Sequence, residues 1–83
     1  METEFITIQV SAPKYWGYQY KIPRVYALNV SKEVLIQELK MNMKNFFNVH
    51  NLLELKDSID TLKLHFHQDI LPHNTLVYAC SHS

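Results

Sequence analysis

Five histidines in 83 residues are the first side chains here that could do chemistry. His65 and His67 stand two apart in Leu62-Lys63-Leu64-His65-Phe66-His67, so on a strand their rings would point to the same side. With His73, Asp69 or Cys80 as a third ligand they could hold zinc or copper. The plainer alternative makes them solvated positions opposite Leu62, Leu64 and Phe66. A His-x-His spacing has little specificity by itself, so His65 and His67 stand only as weak metal candidates and no cofactor is expected. Histidine titrates nearest to neutrality, but nothing in the spacing singles out a pH sensor. Cys80 and His82 invite a nucleophile and base. Catalysis would further need a group to orient the base and donors for the oxyanion, and a terminal tail is not expected to hold them. Cys80 then reads as a small apolar residue at a strand end, and no enzymatic activity is expected.

A second group of residues suits binding rather than reaction. Lys14, Tyr15, Trp16 and Tyr18 gather large rings around Gly17, at what reads as the tip of a hairpin. A small core can shelter only some of these rings. Tyrosine and tryptophan recur in interface hot spots because they bury much area at little entropic cost. The competing expectation is that Trp16 folds back over the sheet to cover the core. The candidate partner-binding residues are Tyr15, Trp16 and Tyr18, with Arg24 and Tyr26 extending the same surface.

Composition narrows the classes. Lysine plus arginine is 8, aspartate plus glutamate is 8, and the net charge is zero. Affinity for nucleic acid or for an anionic membrane would lean on a basic surface, so neither is an expected partner. The single glycine leaves no glycine-rich phosphate loop. The single cysteine leaves no internal disulfide and no cysteine-cluster zinc site. The opening Met1-Glu2-Thr3-Glu4 is acidic where a signal peptide would be basic, and the longest apolar run, Leu76 to Cys80, is far short of a membrane span. The expected location is cytoplasmic, with recruitment to the membrane only through a partner.

The elements that must position these residues follow from periodicity. Phe5 to Val10 alternates and predicts a strand with Ile6, Ile8 and Val10 on one face. Tyr18, Tyr20 and Ile22 predict a second strand ending at Pro23, which places it at a sheet edge because proline cannot donate to a ladder. Such an edge could pair with a second copy of the chain, and a homodimer is one expected form. Arg24 to Leu28 reads as the strand continuing past a kink. Asn29 or Ser31 can cap a helix, with Glu33 in its first turn. Leu35, Ile36, Leu39, Met43, Phe46 and Phe47 form its apolar stripe, with Met41 outside it, and Asn45, Asn48 and Asn51 mark its end. Leu52 to Leu55 reads as a short strand, Lys56 to Asp60 as a turn, Leu62 to His67 as another strand or a short surface segment, and Thr75 to Ala79 as the final strand.

A hairpin, one main helix and returning strands predict an α+β, ubiquitin-like β-grasp: a mixed sheet of four to five strands with the helix packed across it. The last strand would lie parallel to the first at the sheet centre. The chain is long enough for one domain over 1–83, its ordered core running from about residue 4 to 80 with a short tail at 81–83.

The opening strand Phe5 to Val10, the turn Tyr15-Trp16-Gly17-Tyr18, the strand Tyr20-Lys21-Ile22-Pro23, the helix after Val30-Ser31-Lys32 and the closing His73-Asn74-Thr75-Leu76-Val77 also carry a resemblance. The chain resembles the small ubiquitin-like proteins of the YukD/EsaB family, which accompany type VII secretion systems in Gram-positive bacteria. The resemblance implies a cytoplasmic adaptor or regulatory subunit. Its implied partner is the cytosolic part of a membrane-anchored secretion subunit, particularly the pseudokinase-like one. Such proteins lack the Gly-Gly tail used in conjugation, and Ala79-Cys80-Ser81-His82-Ser83 lacks it too, which argues against a sulfur carrier or conjugated modifier.

Overall fold

The computed structural model describes residues 4–81, so His82 and its pairing with Cys80 lie outside the described residues. The architecture is α+β, a four-stranded mixed sheet with helices packed across one face. Strands β1 (Phe5–Ser11), β2 (Gln19–Pro23), β3 (Leu64–Phe66) and β4 (Leu76–Ser81) stand in the order β2-β1-β4-β3. β1 pairs antiparallel with β2, Ile6 opposite Ile22, and parallel with β4, Ile8 opposite Val77. β3 closes the far edge antiparallel to β4, with His65 opposite Cys80. The parallel centre and the edge position of β2 are as the sequence predicts.

The alternation of β1 sends Ile6, Ile8 and Val10 to the covered face, where all three are fully buried. Ile22, Val77, Ala79, Leu64 and Phe66 join them from the other strands. The opposite face carries Phe5, Leu76 and Tyr78, each substantially exposed.

The long helix, Lys32–Val49, covers the apolar face. Ser31 caps it, its Oγ accepting from the Val34 N–H at 3.2 Å, and Glu33 meets the positive end of the dipole. Leu35, Ile36, Leu39, Met43 and Phe47 are its buried stripe. Phe46 departs from the expected stripe and stays 43% exposed although it falls on the helix face shared by Leu35 and Leu39; near the end of the helix it packs edge-on against Tyr18 instead. The helix ends in a Schellman motif: Asn51 takes φ 59°, its N–H donates to Asn48 O, and the Leu52 N–H donates to Phe47 O. Ser31→Ala should lower stability by about 1 kcal/mol, read as a shift in the urea midpoint, because the Val34 N–H then loses its protein acceptor.

Two segments expected to be extended are helical. Arg24–Asn29 is a helix, α1, not a continuation of β2; the long helix is therefore α2. Pro23 serves as the N-cap, and the first helical N–H, of Arg24, donates back to Glu4 O at 2.9 Å. Leu53–Ser58 is α3 rather than a strand and turn, and a 3-10 turn, Ile59–Thr61, follows it. Both helices have six residues, too few to show a period and too short to persist alone. They are held by packing. Ala27 is their one buried contribution from α1, and the 3-10 turn buries Ile59 completely. β4 starts one residue later than expected, at Leu76, and runs two further, taking in Cys80 and Ser81. Among the described residues no helix is long and apolar enough to cross a membrane.

Candidate functional site

The connection between β1 and β2 consists of two tandem turns. The Tyr15 N–H donates to Ala12 O at 3.0 Å, and the Tyr18 N–H to Tyr15 O at 3.2 Å. Each turn places a residue of positive φ third: Lys14 at 74° in the first and Gly17 at 84° in the second. Proline second and positive φ third is the type II pattern, and Pro13 and Lys14 occupy those places. Gly17 takes its φ freely; Lys14 does so at a cost of about 1 kcal/mol.

This geometry separates three rings that the sequence groups together. Tyr15, shared by both turns, is turned inward and 4% exposed, its Oη donating to Leu55 O at 2.9 Å. The bond ties the turns to α3. Tyr15→Phe removes only that donor and should lower stability by about 1 kcal/mol without changing binding, as measured by denaturant unfolding beside a partner-binding assay. Trp16, second in the outer turn, projects outward and is 73% exposed, so it does not fold back over the sheet. Tyr18 lies between, half-buried, its hydroxyl bonded to the Asn42 side chain. Burial first, and the neighbouring Tyr20 second, raise its pKa above the ordinary phenol value.

Behind Trp16 a groove of about 500 Å³ opens between the turns and the C-terminal half of α2. Its wall is an aromatic cluster. Tyr18 meets Phe46 edge-on at 5.5 Å between centroids, Phe47 packs against Tyr15 at 5.6 Å, and Phe46 reaches His50 at 4.4 Å. Further along the chain Val49, Leu52 and Leu53 are also exposed. Phe46 is the residue that sequence reasoning missed. The spacing gave no signal for it, because Phe46 falls on the helix face shared by Leu35 and Leu39.

Arg24 and Tyr26 are placed elsewhere. The Arg24 guanidinium joins Glu4 at 3.1 Å, Pro72 O at 2.7 Å and Asn74 O, clamping the loop before β4 to the start of β1. The Tyr26 hydroxyl donates to the Glu38 carboxylate, which raises its pKa, and so fastens α1 to α2. Tyr15, Trp16 and Tyr18 are thus brought together, whereas Arg24 and Tyr26 hold the fold at other points.

His65 and His67 do share a side, their rings 4.4 Å apart and nearly perpendicular. Cys80 faces His65 across the ladder. Asp69, however, is bound to Lys32 at 2.7 Å, which lowers its pKa. Among the described residues no three His, Cys, Asp or Glu side chains gather as a metal site. A second groove of about 330 Å³ runs between the first turns of α2 and β3, with Ile36, Leu64 and Phe66 in its walls and Lys32, Glu33 and His65 on its rim. Comparisons with protein-family models, with curated proteins and with solved structures each found no match to this chain.

Proposed function

We propose that the protein is a ubiquitin-like β-grasp module that works as a non-catalytic adaptor, holding a partner protein at the groove beside Trp16. The β-grasp assignment is supported by the parallel β1–β4 centre, the edge position of β2 and the crossing of α2 over the sheet. The single observation behind the binding role is Trp16. A tryptophan 73% exposed on a tied-down turn, next to a groove of about 500 Å³ walled by Tyr18 and Phe46, is area held ready for burial. The groove's described walls hold rings, amides and one lysine, which suits recognition better than bond making.

For the partner, the resemblance to the YukD/EsaB proteins points to the cytosolic part of a membrane-anchored type VII secretion subunit, the pseudokinase-like one first, with the adaptor in the cytoplasm. That identification rests on the sequence resemblance alone. The test is affinity capture from the native host with wild-type protein and Trp16→Ala in parallel. Capture of a secretion subunit by the wild type alone supports both role and site. Equal capture by both moves the site, and no such subunit in either removes the secretion role.

A further inference from the structure

The groove beside Trp16 reaches the start of β2 at Gln19, and β2 is an edge. The ladder fixes which backbone groups are free there. Tyr18 O accepts from the Val10 N–H at 2.8 Å, and the Arg24 N–H donates to Glu4 O. The register between them, Ile8 opposite Tyr20 and Ile6 opposite Ile22, turns the even-numbered residues of β2 toward β1. Gln19 and Lys21 therefore present both N–H and C=O outward, and Pro23 its C=O alone. Proline stands where the missing N–H costs the fold nothing.

Within the turns and β2 themselves charge is one-sided, Glu38 of α2 being bonded to Tyr26 on the helix side. Lys14 lines the groove, and Lys21 stands on β2 two residues from Gln19. Residues 11–23 contain no Asp or Glu, and among the described residues neither lysine forms an ion pair, whereas Arg24, Lys32 and Lys44 each do. Lys14 sits at φ 74°, where glycine or asparagine would be easier. The β3 edge differs. It has three residues, and its groove carries Glu33 and the Lys32–Asp69 pair.

We infer that the partner contributes an extended segment of alternating apolar and acidic residues, which adds to the sheet as a strand along Gln19–Lys21. This rests on the binding role proposed for the groove and specifies what the groove takes. The pleat dictates the alternation. Side chains on the helix-covered side of the added strand fall over Tyr18 and Phe46 and must be apolar or aromatic. Those on the other side fall beside Gln19 and Lys21, where carboxylates are favoured. A carboxylate near the turn meets Lys14.

The probe is a synthetic seven-residue peptide alternating glutamate with phenylalanine, titrated into isotope-labelled protein and followed by amide NMR, with a lysine-for-glutamate peptide as control. The glutamate peptide should move the Gln19 and Lys21 amides and the Trp16 indole, and should bind about tenfold more tightly than the lysine peptide. Lys21→Glu should weaken it about tenfold. Gln19→Pro removes one outward N–H and leaves the β1–β2 ladder whole, so it should lose binding while Gln19→Ala keeps it. No shift at Gln19 and Lys21 at millimolar peptide overturns the inference, as does equal binding of both peptides. Shifts of these amides on concentrating the protein alone would assign the edge to a second copy and overturn it too. If capture of the native partner depends on Trp16 but is untouched by Gln19→Pro and Lys21→Glu, the groove stands and strand addition falls. If it depends on none of the three, the binding site itself falls.

Discussion

Trp16→Ala should cut partner affinity at least ~30-fold, a loss of about 2 kcal/mol or more, while leaving the unfolding midpoint nearly unchanged. The two halves of this result come from the same geometry. Trp16 is 73% exposed, so the folded state loses almost no buried area when the ring goes, and the change in stability should stay within about 0.5 kcal/mol. In a complex, the ring would be covered on both faces and its removal would leave a hole over Tyr18 and Phe46. Surface tryptophans that merely decorate a protein do not behave this way. Isothermal titration with the captured partner and a urea melt of the same two proteins make the comparison. A large stability loss would mean Trp16 is structural, and an unchanged affinity would place the interface away from the turn.

The second large effect concerns the core. Met43→Ala should destabilise the domain by roughly 2–5 kcal/mol, against less than about 0.5 kcal/mol for Met41→Ala. The two methionines have the same chemistry and sit two residues apart on α2. Met43 is 0% exposed under the sheet-facing side of the helix, and Met41 is 69% exposed on its back. Domains of this size have total stabilities near the lower part of the 5–15 kcal/mol range. The Met43 variant should therefore be partly unfolded at 37 °C, with weak near-ultraviolet circular dichroism and enhanced dye binding. Similar melts for the two variants would mean α2 is rotated about its axis from the position described.

What was legible in the sequence follows from how each signal arises. The strand Phe5–Ser11 repeats its alternation long enough to be unambiguous, and Ser31 with the stripe from Leu35 to Phe47 states both the start and the buried side of α2. Helices α1 and α3 were hidden because six residues complete less than two turns. In α1 Val25 and Tyr26 lean to strand, whereas the helix-favouring Leu53-Glu54-Leu55-Lys56 of α3 was a run too short to show its period. Packing and the backbone link from Arg24 to Glu4 settle the matter for α1.

The candidate site shows the same division. That rings at positions 15, 16 and 18 would crowd a turn, and that Gly17 would take a positive φ, could be read directly from residue types. Which ring turns inward could not. Tyr15 is buried because two consecutive turns share it and because Leu55, forty positions away in the chain, offers its carbonyl. Arg24 and Tyr26 were drawn toward the site by sequence proximity, yet their partners lie in Asn74 and Glu38.

The sequence by itself determined the strands, the main helix, the edge position of β2 and the presence of surplus aromatic area, because each depends on periodicity or on one residue's backbone chemistry. The groove, the outward Trp16 and the exposed Phe46 were decided only by the tertiary structure. They depend on the rotation of α2 against β2, which is set by close packing of the whole core rather than by any local run of residues.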